Sequence, residues 1–219
     1  MASTRYDLVF KEKNEEEDNV RNEILEIADF LKNKYLFIGY SGRKGKKMDP
    51  SLMGQTVRNS LYRTKIPLIV VKHLYKRSDK SANGFNFLVC VDGSYKSFKA
   101  LEVAINLAGS ENDRIYVVTA SDILADQHSE IEVVKMKFEE IEAQHKNKKL
   151  TFIPLKSSSD LGKSIVEYVN FNEKIDFDFV VLGNNGMRAQ MEKKEFLGRT
   201  AENILANAKA NLITVPERF

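Results

Sequence analysis

Short apolar runs of strand length recur along the chain, separated by stretches in which apolar residues return every three or four positions. In the C-terminal part these runs are Phe87 to Val91, Ile115 to Val118, Phe152 to Leu155, Phe179 to Leu182 and Leu212 to Val215. Their continuous hydrophobicity predicts strands buried on both faces. Between them, Phe98, Leu101, Ile105 and Ala108 share one helical face, as do Ile131, Val134, Phe138 and Ile141. Leu161, Ile165 and Val169, then Ala201, Ile204, Leu205 and Ala208, repeat the pattern. Strands alternating with helices imply parallel strands joined by right-handed crossovers, with helices on both sheet faces. The expected fold is a doubly wound α/β domain with a parallel five-stranded sheet.

The N-terminal part repeats the end of this pattern. An offset of 144 residues aligns Gly39-Tyr-Ser-Gly42 with Gly183-Asn-Asn-Gly186, and Gly54-Gln-Thr56 with Gly198-Arg-Thr200, without a gap. Asn59, Leu61, Lys65, Leu68, Ile69 and Val71 then match Asn203, Leu205, Lys209, Leu212, Ile213 and Val215. A repeat this long is domain duplication rather than a solenoid, because each copy holds several secondary elements. The first copy offers a strand near Leu8 to Phe10 and a helix with Val20, Ile24, Ile27 and Leu31 on one face. The strand Leu36 to Ile38, a helix from about Ser51 to Arg63 and the strand Leu68 to Val71 follow. In this register Leu8 falls under Phe152, so the first two strands of the complete unit have no counterpart. The predicted organisation is an incomplete half domain at 1–72, a polar linker at 73–84 and a complete domain at 85–219.

Phe87-Leu-Val-Cys-Val-Asp-Gly-Ser94, running into Ser97 to Ala108, resembles the opening strand and helix of the universal stress protein family. Leu197-Gly-Arg-Thr-Ala-Glu-Asn-Ile-Leu205 and Leu212 to Pro216 are similar to its last helix and strand, and Met53 to Val71 resembles that ending again. The resemblance implies a sheet of order 3-2-1-4-5, the adenine nucleotide alpha hydrolase-like arrangement. It also implies a bound adenine nucleotide, ATP or AMP, with Mg²⁺ accompanying ATP. In that family's ATP-binding pattern an Asp follows the first strand, and G-x-x-G is followed after nine residues by Gly and a hydroxyl residue. Asp92, Ala120, Gly183, Gly186, Gly198, Arg199 and Thr200 are the corresponding candidates, with Asp92 and Ala120 toward the nucleoside and the glycine segments toward the phosphates.

Physical chemistry makes these residues suitable. Glycine permits positive φ and close backbone approach, amides at a helix start attract anions, and a carboxylate accepts a ribose hydroxyl. Each residue also has a plain structural reading: the glycines serve tight turns and packing, and Asp92 serves as an N-cap or turn acid. Here eleven residues separate Gly186 from Gly198, and Arg199 stands where the hydroxyl belongs, with Thr200 one position later. Arg199 either supplies a phosphate-pairing charge or points to solvent, and Thr200 caps the helix instead.

Composition narrows the alternatives. Thirty-four Lys and Arg against 31 Asp and Glu leave a net charge of +3, which gives no electrostatic case for nucleic acid. The basic run Arg43-Lys-Gly-Lys-Lys47 reads as a solvated loop or as a contact for an anion or acidic protein surface. Cys90 is the single cysteine, no apolar run reaches bilayer-spanning length, and the N-terminus lacks a signal-peptide core, so a cytoplasmic protein with no membrane role is expected. His73, His128 and His145 do not have metal-ligand spacing, and no nucleophile and base are recognisable. A non-enzymatic role is therefore expected, with slow ATP hydrolysis left open.

Two functions follow. One is a regulatory protein of the universal stress type that binds adenine nucleotide in its second copy. The other is a scaffold or interaction subunit of a larger assembly, a cytoskeletal one included, in which the nucleotide site has degenerated. The resemblance further implies an intrachain pseudo-dimer through the last strands, Leu68 to Val71 against Leu212 to Val215. The strand near Leu8 is expected beside Leu36 to Ile38, and the unusual surface of the incomplete half is where a protein partner would bind.

Overall fold

The computed structural model describes residues 20–32, 34–40, 53–72, 84–122, 128–157, 160–184 and 197–216. The apolar runs form strands β1 (Leu36–Gly39), β2 (Leu68–Val71), β3 (Asn86–Cys90), β4 (Arg114–Asp122), β5 (Lys149–Ser157), β6 (Phe179–Gly183) and β7 (Asn211–Val215). The amphipathic stretches form helices α1 (Val20–Phe30), α2 (Gln55–Arg63), α3 (Tyr95–Leu107), α4 (His128–Gln144), α5 (Leu161–Phe171) and α6 (Arg199–Asn207). The segment Leu8 to Phe10, the basic run 43–47 and residues 73–83 lie outside the described residues.

These strands make one seven-stranded sheet in the order β1-β2-β7-β6-β3-β4-β5. Within it, β5-β4-β3-β6-β7 is the 3-2-1-4-5 order expected for residues 85–219, and all of its neighbours are parallel. The sheet does not stop at five strands. β1 and β2 pair in parallel and extend it, joined to β7 by an antiparallel β2–β7 contact with Ile69 opposite Ile213. Strands β4 and β5 outrun their apolar cores, pairing continuously from Arg114 and Lys149 to Asp122 and Ser157. Ladder hydrogen bonds use the backbone, so polar side chains at the strand ends do not interrupt them. Helix α2 starts at Gln55 rather than near Ser51, because Gly54 is its N-cap with extended ψ of 138°.

The sheet separates two hydrophobic layers. On one face Val57 and Leu61 of α2, Ile165 and Val169 of α5, and Ile204 and Leu205 of α6 pack on Leu68, Leu88, Val180 and Leu212. On the other, Phe98 and Leu101 of α3 and Val134 and Phe138 of α4 cover Ile69, Val89, Val117, Val181 and Ile213. Full burial of each large side chain contributes about 1.5–3 kcal/mol, so these layers dominate the stability of the fold.

At the amino end of β3, buried Asp113 accepts hydrogen bonds from the amides of Phe85 and Ser110, and Asp178 accepts one from Asn86. Gly84, grouped by sequence with the polar linker, is instead buried at φ +73°, where a Cβ would lie 2.3 Å from the Asn112 backbone. The chain passes so close to the turn before β4 that only glycine fits.

The repeated sequence adopts repeated local structure. Tyr40 N–H donates to Val71 O at 2.8 Å, and Asn184 N–H donates to Val215 O at 3.0 Å. Gly54 N–H donates to Tyr40 O, and Gly198 N–H to Asn184 O, each at 3.3 Å. The symmetry ends at Lys72, whose equivalent is Pro216. Lys72 Nζ donates to Ala208 O at 2.7 Å and lies 5.4 Å from the centre of the Tyr40 ring, while its amide donates to Asn211 Oδ1 at 2.8 Å. This half-buried lysine clamps β2 to the C-terminal end of α6, where a positive charge complements the helix carbonyls.

Candidate functional site

Strand order reverses between β3 and β6: β3 continues through α3 to β4 on one side, and β6 through α6 to β7 on the other. Helices α3 and α6 lie on opposite faces of the sheet, so a crevice opens between them outside the strand carboxyl ends. Asp92, Ala120, Gly183 and Gly198 all lie at this end of the sheet.

Asp92 follows β3 by two residues. Its Oδ1 accepts from the Ser94 amide at 3.0 Å and from the Ser94 hydroxyl at 2.6 Å. Ser94 is the N-cap of α3, its Oγ accepting from the Ser97 amide at 3.2 Å. Ser97 Oγ closes the network by donating to Ser94 O at 2.8 Å and accepting from the Asp92 amide at 3.3 Å. The intervening Gly93 has φ +85°, the left-handed conformation such a turn requires. The cap belongs to Ser94, and Asp92 orients that cap while its side chain stays exposed at the mouth of the crevice, beside a helix N-terminus that favours its charge. The spacing Ser94-x-x-Ser97 was the sequence signal for this network.

The β3–β4 register, Cys90 opposite Val118, places Ala120 beside Asp92 when continued by two residues. Ala120 packs against the sheet core and is half-buried. Burial pushes the Cys90 thiol up to about 12, and the negative charge of Asp92 adds to the effect.

Gly183 ends β6 opposite Val215. Its φ is not positive, so the αL reason given for it in the sequence does not hold. Close packing is the reason: a Cβ there would lie 3.1 Å from Lys96 Cβ and 3.4 Å from the Lys96 backbone. Lys96, in the first turn of α3, is only 4% exposed, although periodicity gave no sign that a lysine would pack there. Asn184, next in the chain, has an Oδ1 atom buried without a hydrogen-bond partner among the described residues.

Gly198 is the N-cap of α6, with φ −65° and ψ 148°, and it too is not in the left-handed region. Among the described residues no side chain caps this helix, so the expectation that Thr200 does so is corrected: Thr200 is the second residue of the first turn and exposed, as is Arg199. The first-turn amides of α6 have no intrahelical acceptor and point out of its start. The hydrogen bond from Gly198 to Asn184 ties this end of α6 to the end of β6. Gly186 lies outside the described residues.

In the N-terminal part Gly39 and Gly54 reproduce Gly183 and Gly198, but among the described residues β3, α3 and Asp92 have no equivalents there. Among the described residues, no group of three His, Cys, Asp or Glu converges as a metal site, and no helix is long and apolar enough to cross a membrane.

The sequence profile of the universal stress protein family matches residues 85–216, more than half of the chain, and the chain belongs to that family. Among solved structures, it is similar to a universal stress protein from Archaeoglobus fulgidus, with a TM-score of 0.64 and 20% identity over 90% of this chain and 67% of that one. A putative universal stress protein from Pseudomonas aeruginosa has a TM-score of 0.64 and 13% identity over 92% of this chain and 70% of that one. No curated protein matches the sequence.

Proposed function

We propose that this protein is a non-enzymatic regulator that binds an adenine nucleotide, ATP or AMP, in the crevice between β3 and β6. The observation that carries the reading is the convergence of Asp92, held in one orientation by Ser94, with Ala120, Gly183 and the open N-terminus of α6 at the switch point of the sheet. Asp92 would accept a ribose hydroxyl beside Ala120, and the first-turn amides at Arg199 and Thr200 would receive phosphate, with the Arg199 guanidinium as its counter-charge. Mg²⁺ would arrive with ATP, held by the phosphates.

In this reading residues 85–219 form the complete domain and 1–72 an incomplete copy, joined by 73–84. The antiparallel β2–β7 pairing supports an intrachain pseudo-dimer, with a protein partner engaging the incomplete half. The absence of a hydroxyl residue directly after Gly198 favours a second reading, an interaction subunit whose nucleotide site has degenerated.

Calorimetric titration with ATP and Mg²⁺, and separately with AMP, tests the proposal. Wild-type protein is expected to bind in the micromolar range, about −8 kcal/mol. Asp92→Ala and Arg199→Ala, both at exposed positions, should each weaken binding by about tenfold or more. Absence of binding by wild type at near-millimolar nucleotide would overturn the proposal in favour of the interaction subunit.

A further inference from the structure

Strand β1 is buried less than its repeat equivalent. In β6, Val180, Val181 and Leu182 are 0%, 0% and 5% exposed, whereas their equivalents Leu36 and Ile38 are half-buried and Phe37, the equivalent of Val181, is 63% exposed. Val181 lies in the layer covered by α3, whereas among the described residues no helix covers Phe37, and the lateral neighbours differ as well. β6 lies between β7 and β3, while β1 has β2 on one side and, among the described residues, no strand on the other. The Leu36 amide donates to Pro67 O at 2.9 Å and the Tyr40 amide to Val71 O at 2.8 Å. By the alternation of a parallel ladder, Ile38 also faces β2, and Phe37 and Gly39 turn their N–H and C=O groups to the outer edge.

We propose that this outer edge receives the chain's own segment Tyr6-Asp-Leu-Val-Phe10 as a parallel strand. Topology favours it. Helix α1 lies beside α2, with Arg63 Nη1 donating to Asn22 Oδ1 and Lys65 Nζ paired with Asp29 Oδ2, each at 2.6 Å. It therefore occupies the layer that α5 occupies beside α6. Helix α5 brings the chain from β5, on the β3 side of β6, into β6. A strand on the matching side of β1, entering through α1, forms a crossover of the same hand, the right-handed form that β-α-β units adopt.

Length and pattern agree. Residues 11–19 separate Phe10 from Val20, the first residue of α1, and span up to about 30 Å when extended, ample for a strand-to-helix connection. Leu8 and Phe10 would face one side and Val9 the other, and the β-branched and aromatic side chains of this run favour strand structure. Pairing would also satisfy the outward N–H and C=O groups of β1.

The test is amide exchange measured by NMR on the full chain at two protein concentrations, with nuclear Overhauser contacts sought between Phe37 and residues 6–10. In wild type the Phe37 and Gly39 amides should exchange slowly and independently of concentration. Combining Leu8→Asp with Phe10→Asp should accelerate them about 100-fold, with the Val181 and Leu212 amides unchanged as evidence that the fold persists. Fast exchange in wild type, or protection unaffected by the substitutions, would overturn the proposal. Protection that rises with concentration would also overturn it, assigning the edge to a second copy of the chain.

Discussion

Ile69 and Ile213 are equivalent under the 144-residue offset, and they lie directly opposite each other in the antiparallel β2–β7 pair. Equivalent residues meet in this way when a local two-fold axis runs between them, as at an isologous interface. Both side chains are buried on the same face of the sheet, at 2% and 0% exposure. Ile69→Ala and Ile213→Ala should each destabilise by about 2–5 kcal/mol in urea denaturation. The double variant should lose less than the sum by about 0.5–3 kcal/mol, since the two truncations open one shared void. Strict additivity would show that the two halves are energetically separate at this seam.

Gly84 and Gly109 make a paired test. Gly84→Ala places a methyl 2.3 Å from backbone at a φ of +73°, while at Gly109 the nearest atom is 3.9 Å away. The first substitution should destabilise by about 2–4 kcal/mol, through left-handed strain and overpacking, and the second by no more than about 0.5 kcal/mol. Thermal midpoints of the two variants check this. Gly183→Val belongs with the destabilising group, because the Lys96 side chain and backbone stand 3.1–3.4 Å from its Cβ position.

Lys72 should make stability depend on alkaline pH. Burial lowers its pKa from 10.5 to about 8. Below about 8 the folded and unfolded chains are both protonated at this residue, so it contributes no slope. Between about 8 and 10.5 the unfolded chain binds more protons, so stability rises with pH, at a limiting slope of about 1.4 kcal/mol per pH unit. Comparing urea midpoints of wild type and Lys72→Met from pH 7.5 to 10 isolates this residue, and the variant should lack the rise. Equal profiles would show that the Ala208 carbonyl and the Tyr40 ring keep the ammonium fully charged in the fold.

Cys90 should be unreactive while the protein is folded. With its pKa pushed up to about 12, almost no thiolate is present near pH 8, and thiolate is the attacking species. Iodoacetamide labelling should be slow in buffer and reach the rate of an ordinary thiol in denaturing urea. An ordinary rate in buffer would mean that the end of β3 opens readily.

Much of this architecture was legible in the sequence. The five apolar runs gave the strands of residues 85–219, because burial on both sheet faces demands continuous hydrophobicity at Leu88, Val89, Val180 and Val181. The repeat also aligned Gly54 with Gly198, and the two share one backbone geometry, as N-caps with φ of −57° and −65°. The glycines were harder to interpret. A sequence marks where a side chain is missing without saying whether conformation or space is the reason; at Gly183 it is space, created by Lys96 from a helix 87 positions earlier in the chain.

The sequence by itself thus determined the strands and helices of the described residues, the family resemblance and the 144-residue repeat, since each is written in local periodicity or identity. Only the tertiary structure decided the antiparallel register in which β2 meets β7, with Ile69 opposite Ile213, that Ser94 rather than Asp92 caps α3, and that Gly84 is packed. Those outcomes depend on which distant backbone edge, hydroxyl or turn comes within bonding distance, and periodicity along the chain carries no record of such distances.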